Sequence, residues 1–376
     1  MAPRLASQIA AGEVVERPAS AAKELIENAL DAGATRCDVT IEGGGVTRLV
    51  VADDGRGMSR EDAALSVERH ATSKLFAIDD LGRIVTYGFR GEALPSIASV
   101  SRLSIRTRAE GDERGTLVEF DDEGRVATRS IGAPVGTTVE LRDLFHNVPA
   151  RRKFLRSANT ESGHIAEVLE SAALARPDVT FTLTRDGRRV REWLRVEALE
   201  ERVRAIIGGG LARVEGERGP VRVEAYLSRP EHARAGASGL RLFVNARPVR
   251  DRALYHTLTQ AYGSVLERGR YPKGVLYVDV PPGHVDVNVH PQKSEVRFAS
   301  PSAVTDAVFL IVSTQIATAF SLPAPARSPW ARAAVPVATG ANAGAPRGDA
   351  SGLALPSGEG EGARPLAAES LDRAAH

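Results

Sequence analysis

Cysteine is almost missing from this chain: Cys37 stands alone among 376 residues. A single thiol closes no disulfide within one chain and builds no zinc ribbon or finger, so a disulfide-stapled secreted scaffold is excluded and a reducing compartment is favoured. Long apolar runs are lacking too. No stretch of about 18 apolar residues occurs, and Met1 to Ala10 carries neither a charged n-region before an apolar segment nor a cleavage-site pattern. The expectation is a soluble cytoplasmic protein with no membrane partner. Charge of one sign is also absent, since 49 Lys+Arg face 48 Asp+Glu. Any contact with nucleic acid must therefore come from local patches rather than a chain-wide basic coat. At roughly 100–200 residues per domain, the length allows two domains and a tail.

Aromatic residues stop at Trp330, and from about Leu322 onward Pro, Ala, Gly and Ser dominate. Such a composition buries too little apolar surface to offset its ordering entropy, so 322–376 reads as a disordered linker or tail. A domain boundary is expected near Val196 to Ala198, before a helical run from Leu199 to Ile207 that Gly208-Gly209-Gly210 closes.

The most informative helix comes early. Pro18 fits a first helical turn and Gly33 sits just past the end, so the run from Pro18 to Ala32 is predicted as one helix. Ala22, Leu25, Ile26, Ala29 and Leu30 recur at helical spacing and form its buried stripe. Glu24, Glu27, Asn28 and Asp31 fall within about 100° of arc on the other side, which taken alone reads as a solvated face. Two strands follow, Cys37 to Ile41 and Arg48 to Ala52, joined through Gly43-Gly44-Gly45. The second ends at Asp53-Asp54-Gly55-Arg56-Gly57, a turn that by itself says little. Further on, Gly88 and Gly91 precede a helical run through Ser99. Glycines that admit close backbone approach, followed by a helix N-terminus, make either an anion cradle or an ordinary turn beside a surface helix. Val135-Gly136-Thr137-Thr138-Val139 looks like a strand entered through a glycine, which alone carries no functional weight.

Taken in order, these pieces resemble one family. Gln8 to Pro18, Lys23 to Asn28, Asp31 to Thr35, Arg69 to Lys74, Gly88 to Leu94, Asn147 to Phe154 and Val285 to Pro291 are similar to the blocks of the MutL family of DNA mismatch repair proteins. The likeness runs over nearly all of residues 5–320. The wider resemblance is to the ATPase superfamily of gyrase, the ninety-kilodalton heat-shock chaperones and histidine kinases. It implies an α/β fold: a layered α/β sandwich ATPase domain over 1–198, with a mixed sheet and helices on one face. A smaller α/β domain of ribosomal-protein-S5-like type is implied over 199–321. ATP would sit under a lid rather than on a P-loop, and no Gly-x-x-x-x-Gly-Lys-Ser/Thr sequence is present.

By the same resemblance, Glu24 takes the place of the general base. Asn28, one helical turn away, would give its oxygen to Mg²⁺ bridging the phosphates. Glu27, on the same face, matches a position behind the catalytic one. Asp53 matches the adenine reader: an ionised carboxylate only accepts, and the adenine N6 amino group donates. Gly55 and Gly57 would make room for the ring, and Thr137 would support Asp53 and adenine through its hydroxyl. Thr72, Ser73 and Lys74 match lid residues. Arg90, Gly91, Glu92, Ala93 and Leu94 match the loop whose backbone donors surround the phosphates. Lys293 matches a lysine that reaches from the second domain to the γ-phosphate, which would let nucleotide state set the domain arrangement.

Arg151-Arg152-Lys153 is a compact basic cluster, and Arg241, Arg247, Arg250 and Arg252 form a second. Such clusters are commonly solvated surface. The resemblance implies a positively charged groove that holds single- or double-stranded DNA without reading sequence, with Arg151, Arg152 and Arg247 in it. It implies further partners: a MutS-type mismatch sensor, a downstream helicase or nuclease, and an ATP-dependent homodimer. Two departures temper this. The arm before Pro3-Arg4-Leu5 is shorter than in the family, which weakens the expectation of ATP-driven dimerisation. The C-terminal dimerisation domain with its endonuclease motif does not follow the linker, so no nicking activity is expected. The leading reading is a slow, Mg²⁺-dependent ATPase switch that couples mismatch recognition to repair enzymes. The rivals are a chaperone-type ATPase without DNA dependence, a topoisomerase ATPase subunit with no cleavage domain following, a histidine kinase lacking the preceding phosphoacceptor helix, and a non-enzymatic DNA-binding module.

Overall fold

In the computed structural model, residues 15–68, 93–120, 125–286 and 295–322 are described. Helix α1 (Pro18–Asp31) leads into β1 (Arg36–Glu42) and β2 (Arg48–Asp53), which pair antiparallel across the glycine turn. After α2 (Arg60–Leu65) and α3 (Ala93–Ala98) come β3 (Arg102–Arg108), β4 (Gly115–Phe120), β5 (Val126–Ile131) and β6 (Gly136–Arg142). The first layer closes with α4 (Pro149–Phe154), α5 (Ala158–Ala175), β7 (Thr180–Arg185) and β8 (Arg188–Trp193). These eight strands form one sheet in the order β5-β4-β3-β6-β2-β1-β7-β8, antiparallel throughout except where β1 meets β7.

Helix α1 matches its expected span to within one residue, and all five residues of the stripe are buried. Its end is closed by the Ala34 N–H to the Ala29 carbonyl (3.1 Å) and the Gly33 N–H to the Leu30 carbonyl (3.0 Å), a Schellman arrangement. The opposite face is not simply solvated: Glu27 is buried and lies 3.7 Å from the Lys23 ammonium. Strand alternation turns Cys37, Val39 and Ile41 of β1, with Leu49 and Val51 of β2, into a core shared with α1 and with Ile165 and Leu169 of α5. The other side of the sheet is polar. There Glu140 is held by Arg48 Nε (2.8 Å) and Arg142 Nη2 (2.7 Å), while Arg48 also reaches Glu42 (3.1 Å). The expected fold, a mixed sheet with helices on one face, is what the structure shows.

Helix α6 (Leu199–Ile207) then leads into β9 (Leu211–Arg218), β10 (Val221–Ser228), β11 (Arg234–Ala235), β12 (Leu240–Val244) and β13 (Arg247–Val249). Helix α7 (Arg252–Ala261), β14 (Arg270–Tyr271), β15 (Gly274–Asp279), β16 (Val285–Asp286), β17 (Arg297–Phe298) and α8 (Pro301–Phe320) complete it. The second sheet runs β13-β12-β15-β10-β9. One face packs Val223, Leu242, Leu276 and Val278 against α7 and α8. The other packs Tyr226, Phe243, Val275 and Tyr277 against Val203 and Ile207 of α6 and Leu174 of α5. Tyr277 donates from its hydroxyl to the Leu174 carbonyl (2.9 Å), and Arg202, 1% exposed, spends its Nη2 on the carbonyls of Pro177, Val179 and Leu194 (3.0, 2.9 and 2.7 Å). Helix α8 is long and apolar enough to cross a membrane by length and composition, but Val304, Ala307, Val308, Val312 and Ile316 face the core of this second layer. The expected tail, apart from Leu322, lies outside the described residues.

Candidate nucleotide site

The registers of β3, β6, β2, β1 and β7 align one row of side chains across the helix-covered face: Thr107, Thr137, Asp53, Cys37 and Phe181. The next rows in are apolar, beginning with Ile105, Val139, Val51 and Val39. Thr107, Cys37 and Phe181 are fully buried, whereas Asp53 and Thr137 are only partly covered. The row thus opens at a carboxylate and a hydroxyl that sit side by side. Burial pushes the Asp53 carboxyl up to about 6, against hydrogen bonds from the Gly55 and Thr137 backbone N–H groups that hold it down. The Gly55 bond to Oδ1 is 2.9 Å long. Burial likewise pushes the Cys37 thiol upward, with Asp53 adding to the effect, so it behaves as core rather than as a nucleophile.

Asp54, next in the chain, has the opposite environment. Against the cost of its burial, the Thr35 hydroxyl (2.6 Å) and the backbone N–H groups of Thr35 and Arg36 (2.7 Å each) hold its carboxyl below the ordinary range. It ties the loop to the start of β1.

Two glycines shape this corner. Gly136 opens β6 at φ +115°, where an added Cβ would collide with the Asp53 carbonyl oxygen, and Gly57 sits at φ +67°, where one would collide with the Arg108 carbonyl. Gly55 packs its bare Cα side against Ala32, and the Arg56 N–H donates to the Ala32 carbonyl (3.1 Å). The loop after β2 is thereby docked on the end of α1, the helix that carries Glu24 and Asn28. Both of these are half-buried and one turn apart.

Of the other expected site residues, Ala93 and Leu94 begin α3, with Leu94 packed on the first core. Thr72, Ser73, Lys74, Arg90, Gly91, Glu92 and Lys293 lie outside the described residues. In α4, Arg152 and Lys153 are exposed, and Arg151 donates to the Val15 carbonyl (3.3 Å). Arg247, in contrast, is 8% exposed within β13 of the second sheet. Thr107 was not singled out in the sequence. The only sign of it there is a hydroxyl at an inward position of an alternating strand, three residues beyond Ser104.

Residues 16–136 match the family described as histidine kinase-, DNA gyrase B- and HSP90-like ATPase, and residues 205–317 match the C-terminal domain of DNA mismatch repair protein. The DNA mismatch repair protein MutL of Anaeromyxobacter sp. (strain K) is 51% identical over 335 residues, covering 88% of this chain and 54% of that protein. MutL of Geobacter sulfurreducens is 48% identical over 309 residues, covering 81% and 51%. The chain spans about half the length of the curated relatives it matches. Among solved structures, the Aquifex aeolicus MutL ATPase domain complexed with ADP is 32% identical at a TM-score of 0.55, over 72% of this chain and 94% of that one. The N-terminal domain of a DNA repair protein aligns at a TM-score of 0.69 and 22% identity, over 84% of this chain and 97% of that one, a likeness of fold alone. With an ATPase-type sheet first, a mismatch-repair domain second, and this level of identity to proteins named for it, the chain belongs to the MutL family of DNA mismatch repair proteins.

Proposed function

We propose that this chain is the nucleotide-driven part of a mismatch-repair switch: it binds and slowly hydrolyses ATP, and its nucleotide state governs how it engages DNA and repair proteins. The observation that carries the reading is the row in which Thr137 and Asp53 stand open beside the helix bearing Glu24 and Asn28. The donor set suits ATP. Asp53 only accepts when ionised, which complements an exocyclic amino group and rejects a carbonyl. Among the described residues, no group of three His, Cys, Asp or Glu could hold a metal alone. Mg²⁺ is ordinarily bound through one or two protein oxygens together with substrate phosphates and water, and here the Asn28 oxygen would hold it.

Bound Mg²⁺–ATP supplies the γ-phosphoryl group and the charge neutralisation for its transfer to water. The protein's part is positional. Glu24 orients the water and accepts its proton, Asp53 and Thr137 fix the base, and the backbone donors of residues 90–94 take the phosphates. Thr72, Ser73 and Lys74 close over them, and Lys293 senses the γ-phosphate. Arg151 and Arg152 offer charge to the DNA backbone without base contacts. An ATP-dependent homodimer, a MutS-type sensor and a helicase or nuclease are the partners this reading requires, in the cytoplasm.

The test is ATP turnover by the purified chain and by Glu24→Ala, with and without single-stranded DNA at low salt. We expect slow turnover that DNA accelerates and that the substitution lowers ~10²–10⁴-fold while ATP still binds. Unchanged hydrolysis in the variant overturns the role of Glu24. Turnover and binding indifferent to DNA at every salt concentration favour a chaperone-type ATPase instead.

A further inference from the structure

Thr107 belongs to no part of the mechanism above, yet its hydroxyl is fully engaged. It is 0% exposed, opposite Thr137 in the β3–β6 register. It accepts from the Met58 N–H (2.9 Å), and it lies 3.1 Å from the Gly136 carbonyl oxygen and 3.0 Å from Thr137 Oγ1. A hydroxyl has one proton and two lone pairs. Met58 takes one lone pair. If the proton goes to the Gly136 carbonyl, the remaining lone pair faces Thr137, and Thr137 must spend its own proton there. The Thr137 oxygen then shows the site lone pairs only, as the ionised Asp53 beside it does.

We propose that Thr107 is a positioning residue for base selection: by holding the Thr137 proton it makes the base-reading corner a surface of acceptors, open to a purine with an amino group at position 6 and closed to one with a carbonyl there. The proposal rests on the nucleotide-site reading of Asp53 and Thr137. The same hydroxyl joins the end of the Asp53–Gly57 loop, through Met58, to the strand that carries Thr137, so one buried group sets both halves of the reader. Without it, the Thr137 hydroxyl is free to rotate and to donate to a purine carbonyl.

The experiment is displacement of a fluorescent ATP analogue by ATP and by GTP from the full chain, for wild type, Thr107→Ser, Thr107→Val and Asp53→Ala, each checked by thermal unfolding. Thr107→Val should reduce the preference for ATP over GTP by about fivefold or more, mainly through better GTP competition, and Thr107→Ser should keep it within about twofold. If Thr107→Val does not fold, Thr107→Cys, whose thiol donates and accepts weakly, is held to the same threshold. A preference unchanged in a folded Thr107→Val or Thr107→Cys chain, whatever the absolute affinity, overturns the proposal. If Asp53→Ala binds ATP as wild type does, the nucleotide-site reading itself fails, and the proposal with it.

Discussion

The two sheets of this molecule are built for different burdens. The first is covered by helices on one face and left polar on the other, so β1 alternates buried and half-exposed residues along its length. The second is covered on both faces, and its central strand β15 is buried from Gly274 to Val278 without a break. A sheet with a helix layer on one side can let a polar row emerge at the rim of that layer, where Asp53 and Thr137 stand. A sheet buried on both sides has no such margin, because an uncompensated polar group there has no route to water. The candidate nucleotide corner falls on the first sheet, and the second packs one of its faces against α5 and α6.

The contrast is broken most severely by placing one charge in each sheet. Val278→Asp sets a carboxylate between packed layers and should cost on the order of 4–5 kcal/mol, enough to unfold a marginal chain. Thr138→Asp, on the polar side of the first sheet opposite the exposed Arg106, should stay within about 0.5 kcal/mol in the same denaturant titration. Equal losses would show that the two faces are not distinct.

A smaller effect is expected at the joint between the sheets. Arg202→Met keeps the apolar stem but leaves the carbonyls of Pro177, Val179 and Leu194 without their donor. The loss should be about 2–4 kcal/mol in thermal or chemical unfolding, and Arg202→Lys should recover only part of it, since a single ammonium does not reproduce the guanidinium fork.

The finest test is pH. With the folded Asp53 carboxyl near 6 and an unfolded one near 4, the protein without nucleotide holds this proton more tightly when folded. That contribution to stability is complete below about pH 4 and is lost as pH rises through 6. On the proposed reading nucleotide binding runs the other way, because it needs the ionised acceptor. ATP affinity should fall by up to about tenfold per unit as pH drops below 6, and in Asp53→Asn this dependence should flatten. Calorimetric titration between pH 5 and 8 measures it, and a flat wild-type profile would remove Asp53 from base recognition.

Much of the first layer was legible along the chain because its signals are local. Apolar residues at helical spacing mark α1, two glycine-punctuated runs mark the β1–β2 hairpin, and the expected run from Leu199 to Ile207 is α6 itself. What escaped depends on partners far apart in sequence. Glu27 reads as solvated from spacing, yet it is buried beside Lys23. Arg247 reads as surface charge, yet it is buried in β13, where it pairs with Val244 of β12. Arg202 carries no signal in the sequence, because the three carbonyls that hold it come from two other segments. Gly136 carried no weight alone, because only the pairing of β6 with β2 brings the Asp53 carbonyl against it.

Element types, the ordered blocks that mark the MutL family, and the residue types able to read a base or activate a water are all written locally in the chain, since each depends on neighbours within a turn or a strand. That Thr107, Thr137, Asp53 and Cys37 share one row, and that the row is only partly covered at two of them, follows from the fold alone. Strand register and the helix layer above it are set by side-chain packing between distant segments, and no local pattern encodes that packing.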